Sequence, residues 1–564
     1  MNGLRRGWLA AICALAVVAA ACGTTDKSSS KKPTDDVSTS VPDSGTLVIG
    51  AEQEPACADW ISSCAGAVWG VWTMQEHTMP RVFDVVEVDG TWRYVPSPLL
   101  ADAPTVDTDE AGAQRVTYRI NPAAVWSDGT PITSDDFAYT WEEIATGKDV
   151  WDPTGYDQIE GVDTSDPQTA VVTFKEGEPF GSWKQLFGAD YGVFPSHILE
   201  GKNRTKQMSD GYDWSGGPWK IESWDRGVSV TLVPNDAYWG TQPQIDKVVF
   251  RFIENTASEF KAFESGEVDA IYPQSEPAAV KLIEDGVSGG QSLYTADTGN
   301  VEALWINNAK APLDSVAVRQ AIGYSIDRAA IVQSLFGALG VNEPIQTLNP
   351  PILSAYADTE AWADYVPDLA RVDELLTGDG WAKGGDGIYA KDGKKLSLTI
   401  VTDTGNQRRE LTEEILQAQL AEAGIELKIK NQKPDQLFGE TLVEGNYELA
   451  LFANVTTTLE PGLCAIMCSG NIPSEDNDFS GGNVTATNVP EADALMKTVE
   501  TSTDDALRAS SQQEADRLLA AAQVSLPLDP LPNIALWSDR IDAAISDNPI
   551  LAMFWNMNTW RLEG

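Results

Sequence analysis

Apolar and polar positions along the chain alternate in short runs that predict strands, with helical stretches between them. Gln114 to Ile120 and Thr169 to Phe174 alternate as half-buried strands do. Between them, Thr133 or Ser134 followed by two aspartates is typical of a helix N-terminus. Further strands are predicted at 46–50, 228–234, 245–253, 396–402 and 425–431, and further helices at 256–266, 316–335 and 409–424. This strand–helix alternation predicts α/β domains with open sheets.

The N-terminus has the pattern of an export signal. Two arginines precede an uncharged apolar run from Trp8 to Ala21. The run is shorter than the roughly 20 residues that a membrane-spanning helix needs. Residues 1–21 are therefore predicted to be a signal peptide.

Small residues before Cys22 resemble a bacterial lipobox, in which cleavage leaves a lipidated cysteine at the new N-terminus. Ala19 stands where such boxes usually carry leucine, and ordinary secretion with cleavage near Ala21 is the alternative. Residues 22–44 are rich in Ser, Thr, Lys, Asp and Pro and predict a flexible tether. The expected location is the outer face of the cell membrane, with the lipid as the only membrane contact.

The length of the chain limits the number of domains, and its charge limits the classes of partner. About 520 residues follow the tether, which is too many for one core and predicts two or three domains. The chain has 84 acidic and 39 basic residues, a net charge of −45. This charge argues against nucleic acid and anionic lipid surfaces as partners, and it mildly favours cationic or zwitterionic ligands. Solubility of an exported protein explains the same charge more simply.

Four of the six cysteines follow the predicted tether: Cys57, Cys64, Cys464 and Cys468. An even number in an exported protein predicts two disulfides. Three pairings are possible, and proximity favours Cys57–Cys64 with Cys464–Cys468. Neither spacing is the C-x2-C usual for zinc, so no metal site is expected.

Six motifs along the chain, taken in order, form a distinctive set. They are VWSDGTPITSDDFAYTW (125–141), SGGPWKI (215–221), PNDAYWGTQPQIDKVVFRFIEN (234–255), FESGEVDAIY (263–272), VRQAIGYSIDRAAIV (318–332) and FWNMNTW (554–560). The ordered set resembles the extracellular solute-binding proteins of family 5, the oligopeptide/dipeptide type of ABC transporters, in their actinobacterial lipoprotein form.

The resemblance implies an α/β, two-lobed periplasmic-binding-protein-like fold (type II, cluster C) with an extra domain inserted in the first lobe. By analogy, lobe I comprises 45–88, 212–296 and 525–564, the inserted domain 89–211 and lobe II 297–524. It also implies a monomer whose lobes close on a ligand. The closed form would be recognised by the transmembrane subunits of an ABC permease.

The cleft is expected at loops that follow strands in both lobes. The loop after the first strand contributes the candidates Glu54, Asp59 and Trp60. Aromatic candidates for the cleft wall are Trp60, Trp69, Trp151, Tyr156 and Trp305. Such walls suit peptide side chains and sugar faces equally, and core packing is the alternative for each.

The segment after YELALFAN (447–454) contributes Asn454, Thr457 and Glu460. Peptide-binding members of the family usually clamp the ligand's α-amino group with an aspartate, which falls on about Thr457 here. A buried ammonium needs a paired carboxylate. Either Glu460, Asp59 or Glu54 substitutes, or the ligand has no free amine there.

The predicted function is therefore capture of an oligopeptide or similar solute, without catalysis and without a cofactor. Oligosaccharides or other non-peptide solutes are the alternative within the fold, and a sensory or adhesive surface lipoprotein is another. Nickel uptake is disfavoured because only His77 and His197 are present. A hydrolase is disfavoured because the chain has no G-x-S-x-G or H-E-x-x-H motif.

Overall fold

The computed structural model describes residues 45–62, 68–147, 149–150, 153–188, 191–433, 436–475, 479 and 481–563. The predicted signal peptide and tether with Cys22 lie outside these residues, as do Cys64 and Trp151. Among the described residues, no helix is long and apolar enough to cross a membrane.

Strands and helices alternate along this part of the chain, as the sequence predicts. The strands are β1 Thr46–Ala51, β2 Phe83–Val88, β3 Thr91–Pro96, β4 Thr105–Thr108, β5 Gln114–Arg119, β6 Ile159–Asp166, β7 Thr169–Phe174, β8 Trp219–Asp225, β9 Ser229–Pro234, β10 Lys247–Phe252, β11 Ala270–Ile271, β12 Gly290–Thr295, β13 Asn300–Ile306, β14 Ala382–Lys383, β15 Tyr389–Lys391, β16 Lys394–Lys395, β17 Ser397–Val401, β18 Glu426–Ile429, β19 Leu449–Val455, β20 Ser525–Asp529, β21 Asn533–Ser538, β22 Ile541–Asp542 and β23 Arg561–Leu562. The α-helices are α1 Val68–Gly70, α2 Glu76–Thr78, α3 Ser134–Thr146, α4 Ser196–Leu199, α5 Arg204–Met208, α6 Thr256–Glu264, α7 Pro277–Asp285, α8 Val316–Gly323, α9 Arg328–Phe336, α10 Leu369–Gly378, α11 Gln407–Ala423, α12 Cys464–Met467, α13 Pro490–Thr501 and α14 Asp505–Ala521.

Local capping explains where several helices begin and end. Helix α3 starts after Thr133, whose side chain forms a capping box with Asp136. Helix α11 ends at Gly424, which adopts φ 86° and closes the helix in the left-handed conformation. The single helix predicted over 316–335 is wrong, because the chain breaks between α8 and α9. Asp327 begins the second helix by accepting a hydrogen bond from the Ala330 N–H.

Two large sheets organise the molecule. One has the strand order β12-β21-β11-β1-β10-β9-β8, with β1 parallel to both β10 and β11. The other has the order β18-β17-β19-β13-β20, with β17 parallel to both β18 and β19. We call the part built on the seven-stranded sheet lobe I and the part built on the five-stranded sheet lobe II. A four-stranded antiparallel sheet, β4-β5-β7-β6, lies within the segment that the sequence assigns to the inserted domain.

The chain passes between the two large sheets in two adjacent connectors. Residues 296–299 lead from β12 to β13, and residues 530–532 lead back from β20 to β21. The fully buried Thr298 hydroxyl donates to the Pro530 carbonyl at 2.8 Å, which ties the connectors together. Strand β20 pairs with β13 in lobe II, although it begins the segment 525–564 that the sequence assigns to lobe I. The division into domains by residue number otherwise stays a prediction.

Each large sheet packs its faces against helices and loops to form a core. Trp305 and Trp362 are among the fully buried side chains of lobe II, and Trp219 is one in lobe I. Burial of such rings supplies the dominant favourable contribution to folding. Cys464 and Cys468 form a disulfide, as proximity predicts. Cys57 is also disulfide-bonded.

Candidate ligand-binding cleft

The carboxyl ends of three strands of lobe I meet at one edge of its sheet. Because β1 lies between β10 and β11 and is parallel to both, the residues that follow the three strands lie close together. Glu52 follows β1, Glu254 follows β10 and Gln274 follows β11. With Gln53, Glu54, Trp69 and Thr256, they line a cavity of about 500 Å³.

A second cavity, of about 380 Å³, is lined by both lobes. Lobe II contributes residues 403–407, which follow β17 at the carboxyl edge of the five-stranded sheet. Lobe I contributes the start of α6 and the approach to α7. Glu254, Thr256 and Gln274 line both cavities, which are therefore neighbours within one cleft between the lobes.

A hydrogen bond crosses this cleft directly. The N–H of Arg408, in the first turn of α11 in lobe II, donates to Glu276 Oε2 of lobe I at 3.3 Å. The first N–H groups of a helix have no partner within it. Asn406 accepts the next of these, from Arg409 at 3.0 Å. A lobe I carboxylate thus helps to cap a lobe II helix.

A buried ion cluster supports the lobe II wall. Glu302 on β13 accepts from Arg408 Nη1 at 2.9 Å and from Arg409 Nε at 2.9 Å. Arg409 also binds Asp403, which lines the cleft. Burial alone would raise the pKa of Glu302, but the two arginines more than offset it and hold that pKa below its usual value. Both guanidinium groups are therefore engaged in the wall.

Glu52 is a half-buried carboxyl group of the lobe I wall. Its Oε1 accepts a hydrogen bond from the Thr256 hydroxyl at 3.0 Å. Burial, with a smaller contribution from the charge of Glu276, raises the pKa of Glu52 to about 7. Glu52 therefore changes charge in the physiological range, which suits a residue that meets a ligand.

The predicted residues of the first lobe I loop have different surroundings. Glu54 lines the larger cavity but accepts from Trp224 Nε1 at 2.8 Å and from the Gly227 N–H at 2.9 Å. Asp59 is fully buried and pairs with Arg204 at 2.8 Å.

The two predicted tryptophans near this loop also differ. Trp60 is buried and donates to the Tyr212 hydroxyl at 2.7 Å. Trp69 lines the larger cavity and packs edge-to-face on Trp72, with ring centroids 5.3 Å apart. The structure thus brings Trp69 together with Glu54 at the cavity.

Two other aromatic candidates are buried in cores. The Tyr156 hydroxyl accepts from the Phe187 N–H at 2.6 Å, beside the four-stranded sheet. Trp305 lies on β13, donates to the Phe452 carbonyl at 2.7 Å and stacks on the Phe452 ring. Neither lines the two cavities described above.

The predicted lobe II residues follow the path of β19. Asn454 lies on the strand opposite Val301 and is half-buried. Thr457 is exposed just beyond the end of β19. Glu460 is buried and forms an ion pair with Arg508 at 2.8 Å. The structure thus engages Glu460 with a cation of its own lobe.

The prediction includes the loop after β1 that begins at Glu52, without singling out that residue, and it omits Glu254, Gln274 and Asp403. A signal for them was available, because each lies within three residues of the end of a strand. The predicted cleft draws on the loops that follow β1 and β19, but not on those that follow β10, β11 and β17. Among the described residues, no group of three or more His, Cys, Asp or Glu side chains could hold a metal ion.

Comparisons of sequence agree with this architecture. The family profile for bacterial extracellular solute-binding proteins, family 5 Middle, matches residues 95–470. The oligopeptide-binding protein OppA of Mycobacterium tuberculosis (strain ATCC 25618 / H37Rv) is 25% identical over 477 residues, covering 81% of this chain and 75% of OppA. OppA of Bacillus subtilis (strain 168) is 24% identical over 444 residues, covering 73% of this chain and 76% of that OppA.

Comparisons of structure identify the same fold. The periplasmic EDTA-binding protein EppA has a TM-score of 0.80 and 23% identity, covering 94% of this chain and 98% of EppA. The oligopeptide-binding protein AppA from Bacillus subtilis, in complex with a nonapeptide, has a TM-score of 0.73 and 20% identity, covering 92% of this chain and 99% of AppA. The fold is thus that of the two-lobed periplasmic binding proteins. Because the family profile also spans more than half of the sequence, the chain belongs to family 5 of the bacterial extracellular solute-binding proteins.

Proposed function

We propose that this protein captures an oligopeptide, or a similar small polar solute, between its lobes and delivers it to the permease of an ABC importer. The observation that carries this proposal is the meeting of strand-end loops from both lobes around adjoining cavities of about 500 and 380 Å³. Cavities of this size suit small-molecule ligands. Movement at the two connectors would close the lobes on the solute and bury it.

A peptide is the ligand that the comparisons favour. Curated relatives are named oligopeptide-binding proteins, and the AppA neighbour is solved with a nonapeptide. The cleft offers amide groups from Gln53, Asn255 and Gln274 beside the rings of Trp69 and Phe260. Such a mixture can hydrogen-bond a peptide backbone and cover its apolar side chains.

A non-peptide solute is the second candidate. It is favoured by Thr457, which carries no charge where peptide-binding relatives are expected to hold the α-amino group. The EppA neighbour is described as binding EDTA. A polyanionic chelate is disfavoured here, because the charged side chains among the described cavity-lining residues are all acidic. A neutral oligosaccharide meets no such repulsion.

We expect a thermal-shift screen to separate the two candidates. Peptides of two to eight residues should raise the melting temperature, because a ligand at 100 times its Kd stabilises the folded state by about 2.7 kcal/mol. The free amino acids of each peptide, at equal concentration, are the control. Stabilisation by oligosaccharides with no response to any peptide would favour the second candidate, and turnover of a library member would contradict a purely binding role.

We also propose that the mature protein is a monomer anchored at the outer face of the membrane through a lipid on Cys22. Intact mass spectrometry of protein purified from its host should show a chain that begins at Cys22 and carries the added mass of a diacylglyceryl group. A Cys22→Ser variant is the matched control and should be released unmodified. An unmodified mature chain that starts elsewhere would contradict the anchor.

A further inference from the structure

Every charged side chain among the described residues that line the two cavities is a carboxylate. These side chains are Glu52, Glu54, Glu254, Glu276 and Asp403. A neutral ligand has no charge–charge attraction to such a wall. A cation is attracted electrostatically by each carboxylate that is not already neutralised. The question is therefore which of these groups the protein leaves available.

Three of the five carboxylates are engaged by the protein itself. Glu54 accepts hydrogen bonds from Trp224 and Gly227, and its Oε1 lies 3.6 Å from Arg226 Nη1. Glu276 accepts from the Arg408 N–H, and Asp403 pairs with Arg409. These groups shape the wall of the cleft, and their charges are at least partly compensated.

Glu52 and Glu254 have no cationic partner among the described residues. Glu254 is exposed where the two cavities adjoin. Glu52 is half-buried and accepts hydrogen bonds from the Thr256 hydroxyl and from the backbone of Gln274, and neither of these neutral groups compensates its charge. Of the two, Glu52 is the more desolvated, so a cation placed beside it would stabilise its ionised form more than that of Glu254.

A second, fully buried carboxyl group lies behind Glu52. Glu259, on α6 one turn after Thr256, is 0% exposed, and neither of its carboxyl oxygens has a hydrogen-bond partner among the described residues. A Cβ atom at Gly50 would stand 3.0 Å from Glu259 Oε1, so the group lies against the strand end that delivers Glu52. An unpartnered polar group in a protein interior is rare and costly. Glu259 is therefore a buried carboxyl group beside Glu52 that no described residue stabilises by a hydrogen bond.

We infer that Glu52, backed by Glu259, binds a positively charged group of the ligand, either an α-ammonium or a side-chain ammonium or guanidinium. This inference rests on the proposed capture of a solute between the lobes and names the chemistry of that solute. The inference assigns to Glu52 the binding of the ligand's cation. Thr457 carries no charge and cannot do this, and Asp59 and Glu460 are already paired with arginines.

Protonation of the pair should respond to the ligand. Burial raises the pKa of Glu259 to about 9, with Glu52 as a smaller cause, and the pKa of Glu52 is about 7. The acidic groups that interact with Glu52 are Glu259 and Glu276, and Glu54 and Glu254 line the same cavity. A cation favours the ionised form of Glu52, so binding should release protons. Affinity for a cationic ligand should then rise with pH below 7, by up to about tenfold per pH unit for one proton.

Isothermal titration calorimetry with matched tripeptides tests the inference on the full chain. Ala-Arg-Ala against Ala-citrulline-Ala isolates a side-chain cation, and Ala-Ala-Ala against its N-acetyl form isolates the α-ammonium. At least one cationic member should bind about tenfold or more tightly than its neutral partner. That preference should disappear in Glu52→Gln and weaken in Glu259→Gln. It should persist in Glu264→Gln, an exposed residue at the end of the same helix.

The outcomes separate this inference from the broader proposal. Peptides that bind without a cationic preference, or a preference that survives Glu52→Gln, overturn the role of Glu52 while peptide capture stands. If no peptide binds, peptide capture fails, and n-butylguanidine against neutral n-butylurea decides the inference by thermal shift. Stabilisation by the guanidine in the wild type but not in Glu52→Gln supports it, and an equal response to both compounds overturns it.

Discussion

Replacing Arg508 with alanine should lower the free energy of unfolding by about 3–5 kcal/mol, the usual cost of leaving a buried charge unpaired. Arg508 is only 1% exposed and pairs with the buried Glu460 at 2.8 Å. Its other nitrogens donate to the Val499 carbonyl and to the Ser182 hydroxyl, which follows the four-stranded sheet. One substitution thus removes a charge pair and a link between lobe II and a distant segment.

Urea denaturation of Arg508→Ala and of Arg517→Ala measures this loss. Arg517 lies on the same helix, α14, and also pairs with two carboxylates, but it is 53% exposed. Exposed pairs contribute about 0–1 kcal/mol, so the control should stay close to wild type. A double variant, Arg508→Met with Glu460→Met, should be more stable than Arg508→Ala because no charge is left buried. Equal losses at positions 508 and 517 would contradict the predicted role of burial.

Replacing Glu302 with glutamine should cost a similar amount, about 3–5 kcal/mol at pH 7. Glu302 is 1% exposed, and its two oxygens compensate the guanidinium groups of Arg408 and Arg409. Glutamine keeps the shape but removes the charge, so two buried cations lose their common partner. Because Arg409 also holds Asp403 at the cleft, ligand affinity should fall together with stability.

The pH dependence provides a further readout for Glu302. Its pKa in the folded protein is lowered, so its stabilising effect is present above the pKa of the unfolded chain and is lost as pH falls through the folded value. The difference between wild type and Glu302→Gln should therefore shrink below about pH 4. Glu426→Gln, at an exposed pair with Lys428 on the edge strand β18, is the matched control. A stability difference at position 302 that did not change with pH would exclude the charge as its cause.

Much of the fold could be predicted from the sequence because its signals are local. Thr133 and Asp136 are three residues apart, and they form the capping box that starts α3. The helix break before Asp327 was missed because apolar spacing continues through it, and spacing alone cannot reveal that the Asp327 carboxylate caps a new helix. Local patterns thus predict elements well but leave some of their ends unresolved.

The site was harder to predict from the sequence because its electrostatics depend on partners that are distant in sequence. Asp59 and Glu460 were plausible ligand carboxylates until the fold paired them with Arg204 and Arg508. Arg204 is 145 residues from Asp59, and no periodicity connects them. Glu52 was within reach of the strand-end rule, but its exposure and its unpartnered neighbour Glu259 emerge only from the folded chain.

The position of β21 also bears on the order in which the protein folds as its chain emerges, N-terminus first. This strand lies between β12 and β11 inside the seven-stranded sheet, yet it is made after nearly all of the chain. Until it emerges, β12 is separated from the rest of its sheet, whereas the other large sheet lacks at most its edge strand β20. A chain growing from its N-terminus can therefore assemble most of lobe II first. Lobe I, which begins earliest, is completed last and depends on β21 for its continuity.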